Sequence, residues 1–506
     1  MDGENYLFTR TGTAANATRA KSAGQSSGRF FSARSVWWAF AAFFVVLALT
    51  GGGSRGDIRS LIILRPLAAL FAGYALAAVP FARLREFRSL FILAMIGIAV
   101  VGWQLIPLPP EMWQSLPARA PVARLDELLG FGDIWRPASL SPAATWNALF
   151  AIIVPVAALL LFSALDPSDR GIVLPAVAIF ACVSALWSFG QLLGDPRGML
   201  YLYAVTNTGM PVGLFANRNH NAVFMAAAIP VLAIWGVSRR DGGTRPLIIA
   251  AAGCGFLMFS ALLSGSRAGA LLTVPAVVIG AAVLWQGWQA KAVKTSAPAH
   301  RQGRQSGKSG WAIPANARLR IGAAALMAVV ITGALFALRG RGLGVDGLLS
   351  ASNEQEMRVA SLPTVLDLLG EVWTTGVGGG SFAVIFQQFE PTHLLSPYYL
   401  NQAHNDWLQV AIEYGVAGIA LLGLLMLVAA RAGIALLRDD RLSLAIRIAA
   451  LMPLAILAAA SLVDYPLRVP SIAAIAIIWL AAIHDPALFA AKTRSRSGHS
   501  RFTTGK

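Results

Sequence analysis

Apolar runs of about 18 residues or more recur along the whole chain, and that pattern decides most of what it can fold into. Inside a bilayer's hydrocarbon core, only a helix or a closed barrel satisfies its own backbone polar groups. The runs are continuous or broken by glycine, without the ten-residue alternation of a membrane barrel. The expected fold is therefore all-α and polytopic, with about twelve transmembrane helices. They fall near 36–50, 61–81, 89–106, 144–164, 171–193, 219–236, 246–264, 268–288, 320–338, 408–430, 444–463 and 470–484. The proportions agree. The 506 residues are 56% hydrophobic and 13% charged, against about 25% charged in a soluble chain.

A net charge of +17 raises the question of nucleic acid. Its placement answers against that partner. Arg83, Arg85 and Arg88 share one loop, and Arg239, Arg240 and Arg245 a second. Lys291, Lys294, Arg301, Arg304, Lys308, Arg318 and Arg320 share a third, and Arg431, Arg438 and Arg441 a fourth. With twelve spans, all four loops and both Arg-rich tails face one side, which the positive-inside rule makes the cytoplasm. Arg55 and Arg59 are the exceptions on the outer side.

The expected layout is a basic cytoplasmic tail (1–35), nine spans (36–338), a long periplasmic loop (339–407), three spans (408–484) and a second basic tail (485–506). The first 35 residues are polar and basic, so the first apolar run is expected to act as an uncleaved anchor. Cys182 and Cys254 both fall within apolar runs and read as buried, reduced packing residues. The proline-rich stretch 107–143 carries Trp113 and Trp135 and suits a loop lying at the membrane interface.

The loop 339–407 is longer than a connection requires, which favours a functional segment. A helix capped near Asn353–Glu356 and ending at Gly370 fits its leucine spacing, so an ordered, partly helical lid is expected. Four polar groups fall on this outer side: Asn217-Arg218-Asn219-His220-Asn221, the Ser264–Arg267 turn, Arg358, and His404-Asn405.

Arg267 has almost no loop around it. It reads either as a fixed guanidinium gripping phosphate or as a snorkelling anchor. Arg358 reads as a second phosphate ligand or as the helical partner of Glu354. His404 opens a span and can take up a proton near neutral pH, unless it merely caps the helix. Glu413 lies about two turns into that span, where a carboxylate is costly and so a candidate for function. His220 and His393 carry no companion motif and read as structural. There is no P-loop, serine triad, glycosidase-type carboxylate pair, metal-ligand set or cofactor motif. Arginines with one histidine suit a phosphate-bearing lipid donor.

At these residues the sequence resembles the O-antigen ligase and Wzy polymerase superfamily. Arg267-Ala268-Gly269-Ala270-Leu271 matches the family's arginine motif. His404-Asn405, followed after nine residues by Gly415-Val416-Ala417-Gly418, matches its histidine motif, with Ile419 where threonine is frequent. Arg358, upstream of Trp373 and the Gly376–Gly380 run, resembles the second family arginine, and Asn217-Arg218-Asn219 is similar to a family segment.

The resemblance covers roughly 200–425. It implies a GT-C-like, metal-independent, inverting glycosyltransferase in the bacterial inner membrane, with its site facing the periplasm. The donor would be an undecaprenyl-diphosphate-linked glycan. The acceptor would be lipid A–core in a ligase, another glycan repeat in a polymerase, or a protein side chain in an oligosaccharyltransferase. His404 would be the catalytic residue, and Arg267 and Arg358 would bind the donor pyrophosphate. Asn217, Asn219, Asn405 and Glu413 would support them. A lipid-linked glycan transporter is the alternative from another class. It predicts two similar halves and charges deep in several spans, and neither pattern is seen.

Overall fold

The computed structural model describes residues 32–239, 243–296, 353–395 and 399–490. Its main helices are α1 (Ala33–Thr50), α2 (Leu61–Ala78), α3 (Arg88–Trp103), α4 (Pro142–Ala151), α5 (Ile153–Ala164), α6 (Val173–Leu193), α7 (Arg218–Ser238), α8 (Arg245–Leu263), α9 (Arg267–Ser296), α10 (Asn353–Val372), α11 (Phe382–Phe389), α12 (Asp406–Leu437), α13 (Leu444–Ala460) and α14 (Pro470–Ala482), with shorter ones between them, among them Phe81–Glu86 and Ala120–Leu128. Among the described residues, the extended structure is one two-residue pair, β1 (Pro107–Leu108) against β2 (Arg136–Pro137).

Eight stretches are long and apolar enough to cross a membrane: α1, α2, the α4–α5 pair, α6 with the short turn before it, α7, α8, α9 and α12. Helices α3, α13 and α14 are shorter apolar helices. Together these coincide with eleven of the expected spans. The twelfth, 320–338, lies outside the described residues, as do 339–352 and most of both tails.

Helix α7 is the axis of the bundle, touching α6, α8, α9 and α13. It can be buried on every side because it is apolar all round and rich in small residues, with Ala222, Ala226, Ala227, Ala228, Ala233 and Gly236 buried. Small residues let membrane helices approach closely. On α9, Gly269, Gly280 and Gly287 face α7. An added Cβ there would stand 2.3 Å from the Ala222 Cβ, 3.1 Å from the Ile229 Cγ2 and 2.4 Å from the Val237 Cγ1. The outward faces keep large apolar side chains such as Trp38, Ile62, Leu70 and Val278 exposed, as a lipid-facing surface requires.

A second, smaller core lies apart from the bundle. Val365, Leu368 and Val372 of α10 meet Val377, Phe382, Ile385, Phe386, Leu400 and Ile412. The expected ordered segment is present, although its helix runs on past Gly370 to Val372.

The loop at 107–143 differs from expectation. Trp113 is fully buried, and its indole N–H donates to the Ile134 carbonyl at 2.9 Å. Trp135 stays exposed. The polarity of this hairpin is inverted. Asp126 is drawn inward and pairs with the part-exposed Arg136, while Leu125, Leu128, Leu129 and Phe131 point out. Cys182 and Cys254 are free thiols, half-buried rather than fully enclosed.

Candidate functional site

The start of α12 is shaped by two backbone irregularities. His404 takes φ +50°, a left-handed conformation that non-glycine residues adopt at a cost of about 1–2 kcal/mol. Asn405 then caps the helix, its side chain accepting the Leu408 N–H at 3.0 Å and donating to the Leu462 carbonyl at 2.9 Å. Together these aim the His404 ring at the turn between α13 and α14.

There it meets Asp464, whose side chain is only 3% exposed. His404 Nδ1 lies 3.3 Å from Asp464 Oδ1. Arg358 Nη1 lies 3.9 Å from Oδ2 and 3.5 Å from the Val463 carbonyl. His220 Nε2 lies 3.8 Å from Oδ1. The Tyr465 ring stands against both imidazoles, with centroids at 4.8 Å from His404 and 5.1 Å from His220. Burial alone would push the Asp464 carboxyl up. The His404 contact, then the nearby His220 and Arg358, overcome this and hold it well below the usual carboxylate range. Asp464 is therefore an anion held by three cationic or polarisable side chains from distant parts of the chain.

A second cluster lies deeper. Glu413 is fully buried, with Oε2 accepting from Arg468 Nη2 at 3.1 Å and Oε1 from Gln409 Nε2 at 2.9 Å. Arg468 Nε also lies 3.4 Å from Asp406. Burial opposes the Arg468 charge, yet the Glu413 and Asp406 carboxylates keep it more firmly protonated than an ordinary guanidinium. Glu413 thus serves Arg468 and Gln409.

The glycine motifs have a geometric cause. Within α12, Gly415 adopts φ +59° and ψ −147°, breaking the helix there. The run after α10 fills the break. Val377 N–H donates to the Ile412 carbonyl at 3.0 Å, Gly378 N–H to Glu413 at 2.9 Å, and Val416 N–H to Thr374 at 3.2 Å. Any side chain at Gly376 or Gly415 would meet the other's backbone within about 2.7 Å. Buried Gln104 completes the joint. It donates to the Glu413 carbonyl at 2.8 Å and accepts from the Gly379 N–H at 3.0 Å. The Gly376–Gly380 run is thus bolted to α12.

Arg267 opens α9, where Ser266 Oγ accepts the Gly269 N–H at 3.1 Å. Its side chain is exposed and makes no hydrogen bond or ion pair among the described residues. Asn217 caps α7 by accepting the Asn219 N–H at 2.8 Å. Through the Gly269–Ala222 approach, the starts of α7 and α9 lie side by side. The Arg218 guanidinium rests beside Gly265 in the turn that leads to Arg267.

The structure therefore joins Arg358 and His404 through Asp464, and places Arg267 at the neighbouring helix start. The side chain of Glu354, the other partner considered for Arg358, lies outside the described residues. His393 is exposed and away from this cluster. Among the described residues, no group of three or more His, Cys, Asp or Glu side chains is disposed to hold a metal ion.

A family model described as O-antigen ligase matches residues 252–423. The match to this family is confined to that segment. No curated protein sequence matches the chain. The matched segment contains Arg267, Arg358, His404, Asn405, Glu413 and the Gly415–Gly418 motif. Asn217, Asn219, His220, Asp464 and Arg468 lie outside it and reach it only through folding. Asp464, Arg468 and Gln104 were not singled out from sequence. An acid and an arginine four residues apart, in a six-residue turn between apolar runs, are the signal that could have found the first two.

Proposed function

We propose that this chain is a membrane glycosyltransferase of the O-antigen ligase type, moving a glycan from undecaprenyl diphosphate to an acceptor hydroxyl at the periplasmic face of the inner membrane. The observation that carries the reading is the His404–Asp464–Arg358 constellation at the helix ends, with Arg267 exposed at the start of α9, which packs against the start of α7. With the His404 Nδ1–H donating to Asp464, Nε2 is left to accept the proton of the acceptor hydroxyl. The oxygen then attacks the anomeric carbon from the face opposite the diphosphate, forming the new C–O bond with inversion. The bond to the diphosphate breaks, and the leaving oxygen carries off the electron pair. Arg267 and Arg358 supply bidentate donors to that developing charge, a role a metal ion plays in other transferases. Asn405 and Asn217 hold the helix starts that present these groups.

A ligase uses lipid A–core as acceptor. A polymerase or protein oligosaccharyltransferase runs the same chemistry on another glycan or on a protein hydroxyl. The test is purified protein in detergent with lipid-linked donor, offered each acceptor class in turn, and scored for product and separately for donor binding. His404→Ala is expected to bind donor and lose transfer by roughly 10²–10⁴. Transfer by His404→Ala at close to the wild-type rate would remove the base. Lipid-linked glycan crossing proteoliposomes without any transfer would make the protein a transporter.

A further inference from the structure

His220 carries an unexplained cost. Its side chain is 1% exposed, and neither ring nitrogen makes a hydrogen bond. A buried polar group left without its hydrogen bond destabilises the fold, so an inert packing position would favour an apolar ring. The neighbours of His220 share that unbonded state. Asp464 Oδ2 and Arg358 Nε are also buried without hydrogen bonds, and both belong to the same cluster.

The surroundings of His220 are rigid on one side. The next residue, Asn221, is locked at the start of α7 by Ser184 Oγ at 2.9 Å and Ser188 Oγ at 3.0 Å. The charged and titratable groups acting on His220 are Asp464, Arg358 and His404, with Tyr465 against its ring face. Oδ1 of Asp464 is shared. It accepts the Tyr465 N–H at 3.0 Å, faces His404 at 3.3 Å and faces His220 at 3.8 Å. A closure of under 1 Å converts the last approach into a hydrogen bond, and catalytic hydrogen bonds commonly tighten only when substrate is bound.

We infer that His220 is a positioning residue for the transfer reaction: its Nε2–H donates to Asp464 and sets how strongly that carboxylate supports His404. This rests on the function proposed above. Two imidazoles then divide one carboxylate between them. Charge drawn toward His220 is charge withheld from His404, so the second histidine moderates the first. His220 itself takes no proton from substrate.

The inference fixes a direction. Removing the donor leaves Asp464 a stronger partner for protonated His404, so the acid limb of the rate profile moves to higher pH. Removing the carboxylate moves it to lower pH. A residue that only fills space would lower the rate without moving the limb.

The experiment measures the pH profile of transfer for the wild type, His220→Phe, His220→Gln and Asp464→Asn, with His220→Leu in place of the phenylalanine if the larger ring does not fold. Only part of the effect of a charge-assisted hydrogen bond on Asp464 is relayed to His404. The expected shift for His220→Phe is therefore roughly 0.5–1 pH unit upward. Glutamine restores a donor and is expected to return the limb to its wild-type position, while Asp464→Asn shifts it the opposite way. Carbethoxylation of His404 by diethyl pyrocarbonate, followed by peptide mass, reads the same limb without any transfer. This keeps failure of the inference separate from failure of the proposed activity. If the His404 limb stays in place in His220→Phe, or in the leucine substitute, the inference is overturned. If the limb moves by carbethoxylation while the wild type transfers nothing, the relay stands and the transferase reading falls.

Discussion

Gly415→Ala tests the joint between the Gly376–Gly380 run and α12. At φ +59° and ψ −147°, Gly415 sits in a region essentially reserved for glycine, where another residue costs about 1–3 kcal/mol. The new Cβ would also stand 2.6 Å from Gly376 N and the Thr375 carbonyl carbon, and 2.7 Å from Thr374 O. These are backbone atoms that cannot rotate away. The relief open to the chain is to back the run off α12, giving up three backbone hydrogen bonds of about 0.5–1.5 kcal/mol each. Backing off costs about 1.5–4.5 kcal/mol in hydrogen bonds, while staying docked costs the backbone strain plus three backbone contacts at 2.6–2.7 Å that a Cβ does not tolerate, so the joint is expected to open.

The bundle around α7 does not touch Gly415, so Gly415→Ala is expected to insert and purify normally. Transfer is expected to fall at least about 10²-fold, and the 374–380 run to become sensitive to limited proteolysis. The control is Gly423→Ala, in the same helix with nothing within 4 Å of an added Cβ. It is expected to match the wild type or gain up to about 1 kcal/mol of helix propensity. Transfer within twofold of wild type by Gly415→Ala, with unchanged proteolysis, would refute the reasoning.

Arg267→Lys and Arg358→Lys, at matched expression, are each expected to lose about 10²–10³ in transfer, because a point charge cannot replace a forked donor; near-normal rates in both would leave them as anchors. The lowered Asp464 carboxyl has a signed consequence for stability. A carboxylate depressed in the fold contributes fully above its unfolded value near 4 and loses that contribution only as pH falls through the lower folded value. The Tm advantage of wild type over Asp464→Asn is therefore expected to persist from pH 8 down to about pH 5, widening where His404 takes up its proton beside the carboxylate, and a difference that closes within that window would contradict the assignment. For topology, Gln388→Cys, on an exposed face of α11, is expected to label from outside intact cells while Gln305→Cys does not; the reverse pattern would invert the membrane orientation.

The spans were legible because each is declared locally: a run of apolar residues needs no partner to be recognised. The site was legible only where it borrows that local grammar, at Arg267 between two runs and at His404 before one. Asp464 and His220 meet across more than two hundred residues, and neither has neighbours that reveal the other. Gln104 is a lone amide ending an apolar run, and its double role appears only once the Glu413 carbonyl and the Gly379 N–H are side by side. The Gly415–Gly418 spacing was visible as a motif, but its reason was not: a positive φ is a property of the loop that docks there. Glu413 was read as a carboxylate that could pair with an arginine of the site or orient the histidine; it pairs with Arg468, an arginine the sequence reading did not single out.

The glycines of α9 set a length. Gly269 stands two residues after Arg267, and the Ala222 it meets stands two residues after His220, so the place of the arginine relative to the histidine is fixed at one bare contact. The dimension is written in atoms that are missing. Side chains that touch can be trimmed or repacked, but a backbone held close by the lack of a Cβ yields in one direction only, outward. Growth at Gly269 would lever the mouth of α9 away with Arg267 at its tip, whereas growth at Gly287, five turns along, would splay the far end and leave the arginine nearly in place. The tolerance of the catalytic end to drift is thus graded along a single helix, tightest where the chain has nothing to give up.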